Sequence, residues 1–192
     1  MPAATAIPRF ILHHTRETAS TNDLARESAA RGDAEGQVFI TEHQTAGRGK
    51  PGRKWISPAG KNLLFSIMLR PPVGAHQAPL ITQIACRSVA AVLEKHYAVK
   101  STFKRPNDIL VNGKKLCGVL TEAATRSDGD LESVIVGIGL NVNSAVGELI
   151  PEATSLLMIK GREYDKNRLV NRLLSQFKKD LRPFYGTRTG HR

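Results

Sequence analysis

The sequence predicts an α+β domain in which a mixed, mostly antiparallel sheet is backed by helices. Short apolar runs of strand length occur beside longer helical patterns, and no regular β–α–β alternation links them. Hairpin signals dominate the middle of the chain. The length of 192 residues and the hydrophobic content of 41% suit one domain with a single packed core.

The N-terminal third predicts two strands and one helix. Residues 10–14 have the composition of a short strand. A helix follows in STNDLARESAARG, because Ser20 or Thr21 can cap its start and Gly32 stands where helices commonly end. The β-branched and aromatic content of Gln37–Glu42 predicts the second strand.

The middle of the chain predicts a strand and then a long helix. The apolar run Asn62–Arg70 has strand length and ends at two prolines. The segment Pro79–Tyr97 has apolar residues at helical spacing, which predicts one buried face. That face comprises Leu80, Ile81, Ile84, Val89, Val92 and Leu93.

Two turns and two further helices complete the predicted fold. Asn112-Gly113 lies between two apolar runs and predicts a hairpin. A second turn at SDGD leads into the strand ESVIVGIGLNVN. Helices are predicted at roughly Glu152–Ile159 and at Lys166–Tyr185, with apolar residues on one face of the second.

Charge and cysteine content limit the classes of function. The 28 basic and 17 acidic residues give a net charge of +11, which favours phosphate esters, nucleic acid or an acidic protein as partners. The two cysteines lie far apart and form no disulfide framework. The N-terminus lacks a signal-peptide pattern, and the apolar runs are too short to cross a bilayer. We therefore expect a cytoplasmic protein without a membrane partner.

The stretch GRGKPGRKW, residues 47–55, combines glycines with four basic side chains and the single tryptophan. Glycines let backbone N–H groups approach an anion, and the basic side chains add charge-assisted hydrogen bonds. The stretch lacks the Walker A pattern, and no helix signal follows it as a dinucleotide fingerprint would require. It is either a loop that binds an anionic ligand or a solvated loop anchored by Trp55.

The segment KRPNDILVNGKKLCG holds further polar candidates. Asn107 and Asp108 at a strand end could read a base edge or hold a metal–phosphate group, or they could form an Asx turn. Lys115 lies among apolar neighbours, where a partly buried ammonium needs an anionic partner. Cys117 lies two residues further on, so strict alternation places it on the same face of the strand as Lys115.

The stretch GIGLNVN places two glycines and two asparagines on a buried strand, with Asn141 and Asn143 on one face. Glycine inside a strand often marks the close approach of a ligand, and a bulge with asparagines that tie down the next loop is the alternative. Cys86 lies on the buried face of a helix, and no side chain in the sequence has the setting of a covalent nucleophile.

Five ordered motifs resemble those of biotin protein ligases, also called biotin–[acetyl-CoA-carboxylase] ligases. They are STN at 20–22, EHQTAGRGKPGRKW at 42–55, KRPNDI at 104–109, KKLCGVLTE at 114–122 and GIGLNVN at 137–143. The resemblance implies a catalytic domain of the class II synthetase and biotin–lipoate ligase type. It also implies that biotin is activated by Mg·ATP as biotinyl-5′-AMP and is then transferred to a lysine of the biotin carboxyl carrier protein of acetyl-CoA carboxylase.

The resemblance also implies a role for each matching residue. Lys115 and Arg48 are the expected catalytic residues. The expected biotin-binding residues are Ser20, Thr21, Asn22, Gln44, Arg48, Gly49, Lys50, Lys115 and Gly118. The expected ATP-binding residues are Arg53, Trp55, Asn107, Asp108, Gly137 and Asn141, and Asp108 is also the candidate Mg²⁺ ligand.

The chain departs from the family pattern in three ways. Lys50 stands where the family usually has a second arginine, so a bidentate fork becomes a point charge. Arg105 replaces the tryptophan that usually precedes Pro-Asn-Asp. We expect one catalytic domain at 1–186 and a solvated tail at 187–192, without the small C-terminal β domain of many relatives. We also expect no N-terminal DNA-binding domain and no DNA binding.

Two rival functions stay open from the sequence. A lipoate ligase or a lipoyl or octanoyl transferase has a similar fold and a comparable lysine. A nucleic-acid-binding module would explain the charge of +11 without any ATP chemistry. The sequence leaves the oligomeric state open, with a homodimer as one candidate.

Overall fold

The computed structural model describes residues 7–185, in which seven strands form one sheet. The strands are β1 (Ile11–Thr18), β2 (Gln37–Gln44), β3 (Leu63–Leu69), β4 (Thr102–Lys104), β5 (Asp108–Val111), β6 (Lys114–Thr125) and β7 (Leu131–Leu140). Their order across the sheet is β1-β2-β3-β7-β6-β5-β4. Within the described range, β1 and β2 pair in parallel and every other neighbouring pair is antiparallel. The predicted α+β fold is confirmed, whereas the predicted tail at 187–192 lies outside the described residues.

Within residues 7–185, five α-helices and one short 3-10 helix, Ala75–Gln77, accompany the sheet. The α-helices are α1 (Thr21–Ala30), α2 (Ala78–Tyr97), α3 (Leu156–Lys160), α4 (Lys166–Asp180) and α5 (Arg182–Tyr185). Helix α1 packs against β2, β3 and β7, whereas α2 packs against β5, β6, β7 and α4. Between residues 7 and 185, none of these helices has the length and apolar content needed to cross a membrane.

The central strand β3 is buried along its whole length because both of its faces are covered. Phe65 and Ile67 point into the main core with α2 and α4. Met68, on the other face, packs against Ala25 of α1 and Ile135 of β7. Helix α1 therefore lies on the opposite side of the sheet from the main core, and this second face carries the candidate site.

The first helix begins and ends as the sequence predicted. The Ser20 hydroxyl accepts a hydrogen bond from the backbone N–H of Asn22, so Ser20 is the N-cap. Gly32 follows the helix end with φ of +81°, a backbone conformation that glycine adopts without strain. The cap places Thr21 and Asn22 in the first turn, directly above the sheet.

Two predicted boundaries of the helical third were wrong. Helix α3 begins at Leu156, because Ser155 accepts a hydrogen bond from the N–H of Met158 and acts as its N-cap. The predicted helix Lys166–Tyr185 is divided into α4 and α5 at Leu181. Pro183 lacks the N–H that would continue the helical ladder of α4.

Two smaller expectations also need correction. The first strand, predicted at residues 10–14, extends to Thr18 because β1 pairs with β2 over most of its length. Leu80 was assigned to the buried face of α2, but 46% of it is exposed. Its neighbour Ile81 is fully buried, so Leu80 lies on the side of α2 that faces solvent.

Hairpin β5–β6 has the predicted turn and an unpredicted bulge. Asn112 and Gly113 both have positive φ, as a tight two-residue hairpin turn requires. Further along, Leu110 faces Lys115 while Ile109 faces Cys117, so β6 carries one extra residue. The bulge reverses the alternation of side chains beyond it.

The bulge overturns the prediction that Cys117 shares the face of Lys115. Leu116 and Cys117 are both fully buried in the main core, which also contains Cys86 of α2. A Cβ atom built on Gly118 would lie 3.1 Å from Cε of Lys115. Gly118 therefore follows Lys115 on the face that carries α1.

Candidate active site

A cavity of about 680 Å³ lies on the α1 side of the sheet, between the basic loop and the ends of the central strands. Every site residue that the sequence predicted lines this cavity. They are Ser20, Thr21, Asn22, Gln44, Arg48, Gly49, Lys50, Arg53, Trp55, Asn107, Asp108, Lys115, Gly118, Gly137 and Asn141. The assignment of each residue to biotin or to ATP stays a prediction, but the residues do converge on one cavity.

One end of the cavity is polar and uncharged. The Gln44 carboxamide oxygen accepts hydrogen bonds from the backbone N–H of Thr21 at 2.8 Å and from its hydroxyl at 3.1 Å. The Ser66 hydroxyl donates to Oδ1 of Asn22 at 2.6 Å and lies 2.7 Å from Oγ1 of Thr21. This end suits a neutral ligand that carries both N–H and C=O groups.

Ser66 was missed by the sequence analysis. It is fully buried in the middle of β3, where it orients Thr21 and Asn22. A signal was present in the sequence, because Ser66 is the single polar residue inside the apolar run Leu63–Leu69. A buried hydroxyl needs a partner, and the need for one predicts a polar neighbour on that face.

Gly137 gives Asn22 the space it occupies. A Cβ atom at residue 137 would lie 2.1 Å from Oδ1 of Asn22, a distance that no real contact allows. The amide of Asn22 also donates to Oε2 of Glu122 at 2.9 Å. Glycine at this point of β7 is therefore required by the approach of α1, which explains one of the two glycines in GIGLNVN.

The basic stretch Gly47–Trp55 is a small hairpin. The N–H of Gly49 donates to the carbonyl of Arg53 at 2.8 Å, and the N–H of Trp55 donates to the carbonyl of Gly47 at 2.9 Å. Gly52 takes φ of +78° in the turn. Internal hydrogen bonds thus give this glycine-rich stretch a defined shape over the cavity.

Trp55 closes the hairpin against the sheet. Cβ atoms built on Gly118 and Gly139 would lie 3.0 Å and 2.5 Å from the indole ring, so the ring rests directly on the backbone of β6 and β7. The Lys115 ammonium lies 5.3 Å from the ring centroid, within the range of a cation–π contact. Gly139 was not among the predicted site residues, and the predicted position of Trp55 near adenine stays a prediction.

Lys115 has the anionic partner that its partly buried position required. Its ammonium lies 2.8 Å from Oδ1 of Asp108, and the side chains are 32% and 19% exposed. At this distance the two groups form a close ion pair in a partly buried place. A carboxylate has two oxygens with about four acceptor sites, so Asp108 can accept a bond from a ligand while it pairs with Lys115.

Two buried amide oxygens lack a partner within the described residues. They are Oδ1 of Asn107 and Oδ1 of Asn141. The amide nitrogens of the same residues donate to the carbonyls of Val119 and Thr154, which fixes both side chains. Unpaired buried acceptors favour a ligand that carries N–H donors or a cation.

The two asparagines of GIGLNVN do not lie on a strand face, contrary to the prediction. Strand β7 ends at Leu140. Beyond it, Asn141 lines the cavity, whereas Asn143 exchanges two hydrogen bonds with the backbone of Tyr164. Asn143 therefore ties down the segment before α4, which is the alternative that the sequence left open.

A further lining segment was missed because it was partly assigned to a helix. Residues 147–150, Glu152 and Ala153 border the cavity in an irregular segment before α3. Lys115 holds this segment, since its N–H donates to the carbonyl of Glu152 and its carbonyl accepts from the N–H of Thr154. Backbone pairing of this kind leaves no periodic signal in a sequence.

The residue that replaces the family tryptophan does not disturb this site. Arg105 is exposed, and it is absent from the cavity lining. The charge at this position is therefore solvated rather than buried.

A metal ion would find few protein ligands here. Across residues 7–185, no group of three His, Cys, Asp or Glu side chains has the arrangement of a metal site. Mg²⁺ that enters with ATP is usually held by the phosphates and one or two carboxylates. Asp108 can supply one carboxylate, and this role stays a prediction.

Comparison with known proteins identifies the family of the domain. The family model described as Biotin/lipoate A/B protein ligase family matches residues 15–141. The Bifunctional ligase/repressor BirA of Bacillus subtilis is 36% identical over 169 residues, which are 86% of this chain and 52% of that protein. The Biotin--[acetyl-CoA-carboxylase] ligase of Mycobacterium tuberculosis is 38% identical over 165 residues, which are 83% of this chain and 60% of that protein. The chain thus spans little more than half the length of these relatives.

The fold is also that of a solved structure. The biotin protein ligase from Aquifex aeolicus in complex with biotin and ATP superposes with a TM-score of 0.76 at 29% identity. The match covers 91% of this chain and 71% of the other. The seven-stranded sheet with its helices is therefore the catalytic fold of this group.

Proposed function

The chain belongs to the biotin/lipoate A/B protein ligase family, and on this premise we propose that it attaches biotin to a lysine of a biotin carboxyl carrier protein. The observation that carries the proposal is the position of Lys115. It lies in one cavity with an uncharged polar end, formed around Thr21 and Gln44, and with the basic hairpin. The polar end can bind a neutral ring with N–H and C=O groups. The Lys115 ammonium can pair with a carboxylate and with the acyl phosphate that this carboxylate becomes.

The first step would activate biotin. A carboxylate oxygen of biotin attacks the α-phosphorus of ATP, the bond from this phosphorus to the β-phosphate oxygen breaks, and pyrophosphate leaves. Lys115 would contact both the carboxylate and the α-phosphate, where negative charge shifts during the reaction. Asn107 and Asn141 would hold the nucleotide through their unpaired amide oxygens.

The second step would transfer the acyl group. The ε-amine of the carrier lysine attacks the carbonyl carbon of the mixed anhydride, AMP leaves, and an amide forms with loss of a proton. No protein nucleophile is needed, which agrees with the burial of Cys86 and Cys117 in the core. The hairpin Gly47–Trp55 would keep water from the anhydride between the two steps.

We propose the biotin carrier of acetyl-CoA carboxylase as the acceptor and the cytoplasm as the place of reaction. Support for the acceptor comes from the Mycobacterium tuberculosis relative, whose name gives acetyl-CoA carboxylase as its target. Mg²⁺ would accompany ATP. The net charge of +11 suits an acceptor with acidic residues around its target lysine.

The test is to incubate the protein with ATP, Mg²⁺ and biotin, together with a carrier domain, and to measure the mass of the carrier. We expect the carrier to gain one biotinyl group, and we expect no gain when ATP is omitted or the target lysine is replaced by arginine. A parallel incubation with lipoate tests the rival substrate. Transfer of lipoate but not biotin, or no pyrophosphate exchange with either acid, would contradict the proposal.

A further inference from the structure

A network of four charged side chains holds the start of the basic hairpin against α1 and β6. The two terminal nitrogens of Arg48 each lie 2.8 Å from an oxygen of Asp23, which is a bidentate pair. Nη2 of Arg48 also lies 3.6 Å from Oε1 of Glu122. Arg26 pairs with Asp23 and lies 3.7 Å from Oε2 of Glu122, which completes the network.

In this arrangement one N–H of each terminal nitrogen of Arg48 is engaged with Asp23. The hydrogen bond from Arg48 lowers the pKa of Asp23, and the hydrogen bond to Asp23 raises the pKa of Arg48. A substrate carboxylate or phosphate could take these same two N–H groups only after the bidentate pair had opened, while the other N–H groups of Arg48 stay accessible. The catalytic role that the family resemblance implied for Arg48 stays a prediction.

The network also joins the hairpin to the polar end of the cavity. Asp23 follows Asn22 in the first turn of α1, and Glu122 accepts a hydrogen bond from the Asn22 amide at 2.9 Å. Arg48 pairs with Lys54 across the hairpin as an antiparallel bridge. The contacts of Arg48 with Asp23 and Glu122 therefore hold both arms of the hairpin in place relative to the cavity.

We propose that Asp23 and Glu122 are positioning residues, which act through Arg48 to hold the hairpin Gly47–Trp55 closed over the cavity. That these residues hold the hairpin closed is a statement about this chain alone and does not depend on the ligand. Its consequence, that the closed hairpin retains the acyl adenylate, rests on the proposed function. Loss of the bidentate pair leaves the turn of the hairpin intact and frees its base.

The partial exposure of the pair limits the size of the effect. The side chain of Arg48 is 36% exposed and that of Asp23 is 23% exposed, so water and salt weaken the attraction. We expect Asp23→Asn to raise the off-rate of the acyl adenylate about fivefold, less than the loss of a fully buried charged pair would cause. High salt should raise the wild-type off-rate in the same direction.

The first test needs no enzyme activity, because Trp55 is the single tryptophan of the chain and lies at the end of the hairpin. Acrylamide quenching of its fluorescence reports access to the ring in the protein without ligand. We expect a quenching constant about twofold higher in Asp23→Asn than in the wild type. Asp33→Asn is the matched control, since Asp33 pairs with Arg31 beyond the other end of α1 and does not line the cavity. Equal quenching in the wild type, Asp23→Asn and Asp33→Asn would overturn the inference.

The second test separates action through Arg48 from a general structural effect. Dissociation of biotinyl-5′-AMP is measured in Asp23→Asn, in Arg48→Gln and in the double variant. If Asp23 acts through Arg48, the double variant has the off-rate of Arg48→Gln alone. Additive effects would overturn the inference. A change in quenching with no adenylate formed by the wild type would support the inference that Asp23 and Glu122 hold the hairpin closed and contradict the proposed function.

Discussion

Replacement of Lys115 by alanine should nearly abolish adenylate formation while the fold persists, and Lys114→Ala should change it little. The two lysines are neighbours at the start of β6, but their surroundings differ. Lys115 lines the cavity, pairs with Asp108 at 2.8 Å and lies beneath Trp55. Lys114 is exposed beside the hairpin turn and is absent from the cavity lining. The pair of variants therefore removes the same charge from adjacent positions.

The structure sets the expected magnitudes for Lys115→Ala. Removal of one preorganised charged group at a reacting phosphate costs about 10²–10³-fold in rate. Asp108, with 19% of its side chain exposed, loses its partner at the same time. Because the pair is partly solvated, this loss should destabilise the fold by about 1 kcal/mol, or about 2–4 °C in Tm. Lys114→Ala should keep the rate within about twofold of the wild type and leave Tm unchanged, as surface substitutions commonly do.

The assay is pyrophosphate exchange with biotin and ATP, run together with thermal unfolding of each variant. If the Tm of Lys115→Ala is close to that of the wild type, the loss of pyrophosphate exchange comes from the change in the active site and not from unfolding. Equal losses of exchange in the two variants would refute the reasoning. So would a Lys115→Ala variant that exchanges pyrophosphate at the wild-type rate.

The sequence predicted correctly those parts of the fold that depend on interactions between residues close together in the chain. The Ser20 cap, the Asn112-Gly113 turn and the central strands depend on residues within a few positions of each other. The motifs that carried the family resemblance lie at the start of α1, in the basic hairpin, before and within β5, within β6 and at the end of β7. Their side chains meet because the sheet and α1 bring them to one cavity, and before the structure only the family resemblance implied that arrangement.

The wrong predictions concern features that depend on contacts between distant parts of the chain, namely the bulge in β6 and the segment around Glu152. A single extra residue in β6 moves Cys117 to the core and brings Gly118 to the face of Lys115. An apolar run such as Leu116-Cys117 is compatible both with a regular strand and with a bulged one. The sequence therefore does not reveal the bulge. The irregular segment around Glu152 is held by backbone hydrogen bonds to Lys115, and such bonds do not depend on side-chain type.

The role of Arg48 shows a different limit. Its motif predicted a cation for an anionic substrate, and composition alone cannot say which carboxylate such a cation meets. The structure supplies two carboxylates, at Asp23 in α1 and at Glu122 in β6. They are 25 and 74 positions away from Arg48 in sequence (122 − 48 = 74), beyond the reach of any local pattern. Only the packing of α1 on the sheet brings the three groups together.

Further predictions concern Trp55, the two thiols and the residue that departs from the family. Gly139→Ala should displace Trp55, because the new Cβ would lie 2.5 Å from its ring, and acrylamide quenching that stays at the wild-type value would contradict this contact. Burial raises the pKa of Cys86 to about 12 and the pKa of Cys117 well above its usual value, so neither thiol should react with a thiol reagent at pH 8 until denaturant is added. Because these thiols ionise at lower pH in the unfolded chain than in the folded protein, the free energy of unfolding should fall as pH rises above about 9. Fast labelling of the native protein would contradict both the predicted protection and the predicted pH dependence. Lys50 offers the adenylate one compact charge where an arginine would offer a fork, so it should retain the intermediate less firmly. Lys50→Arg should slow adenylate dissociation and Lys50→Gly should speed it, each by part of the about 1.5–3 kcal/mol of a charge-assisted bond. If Lys50→Arg leaves dissociation unchanged or faster, this side chain does not hold the intermediate, and the charge of the hairpin serves the entry of ATP instead.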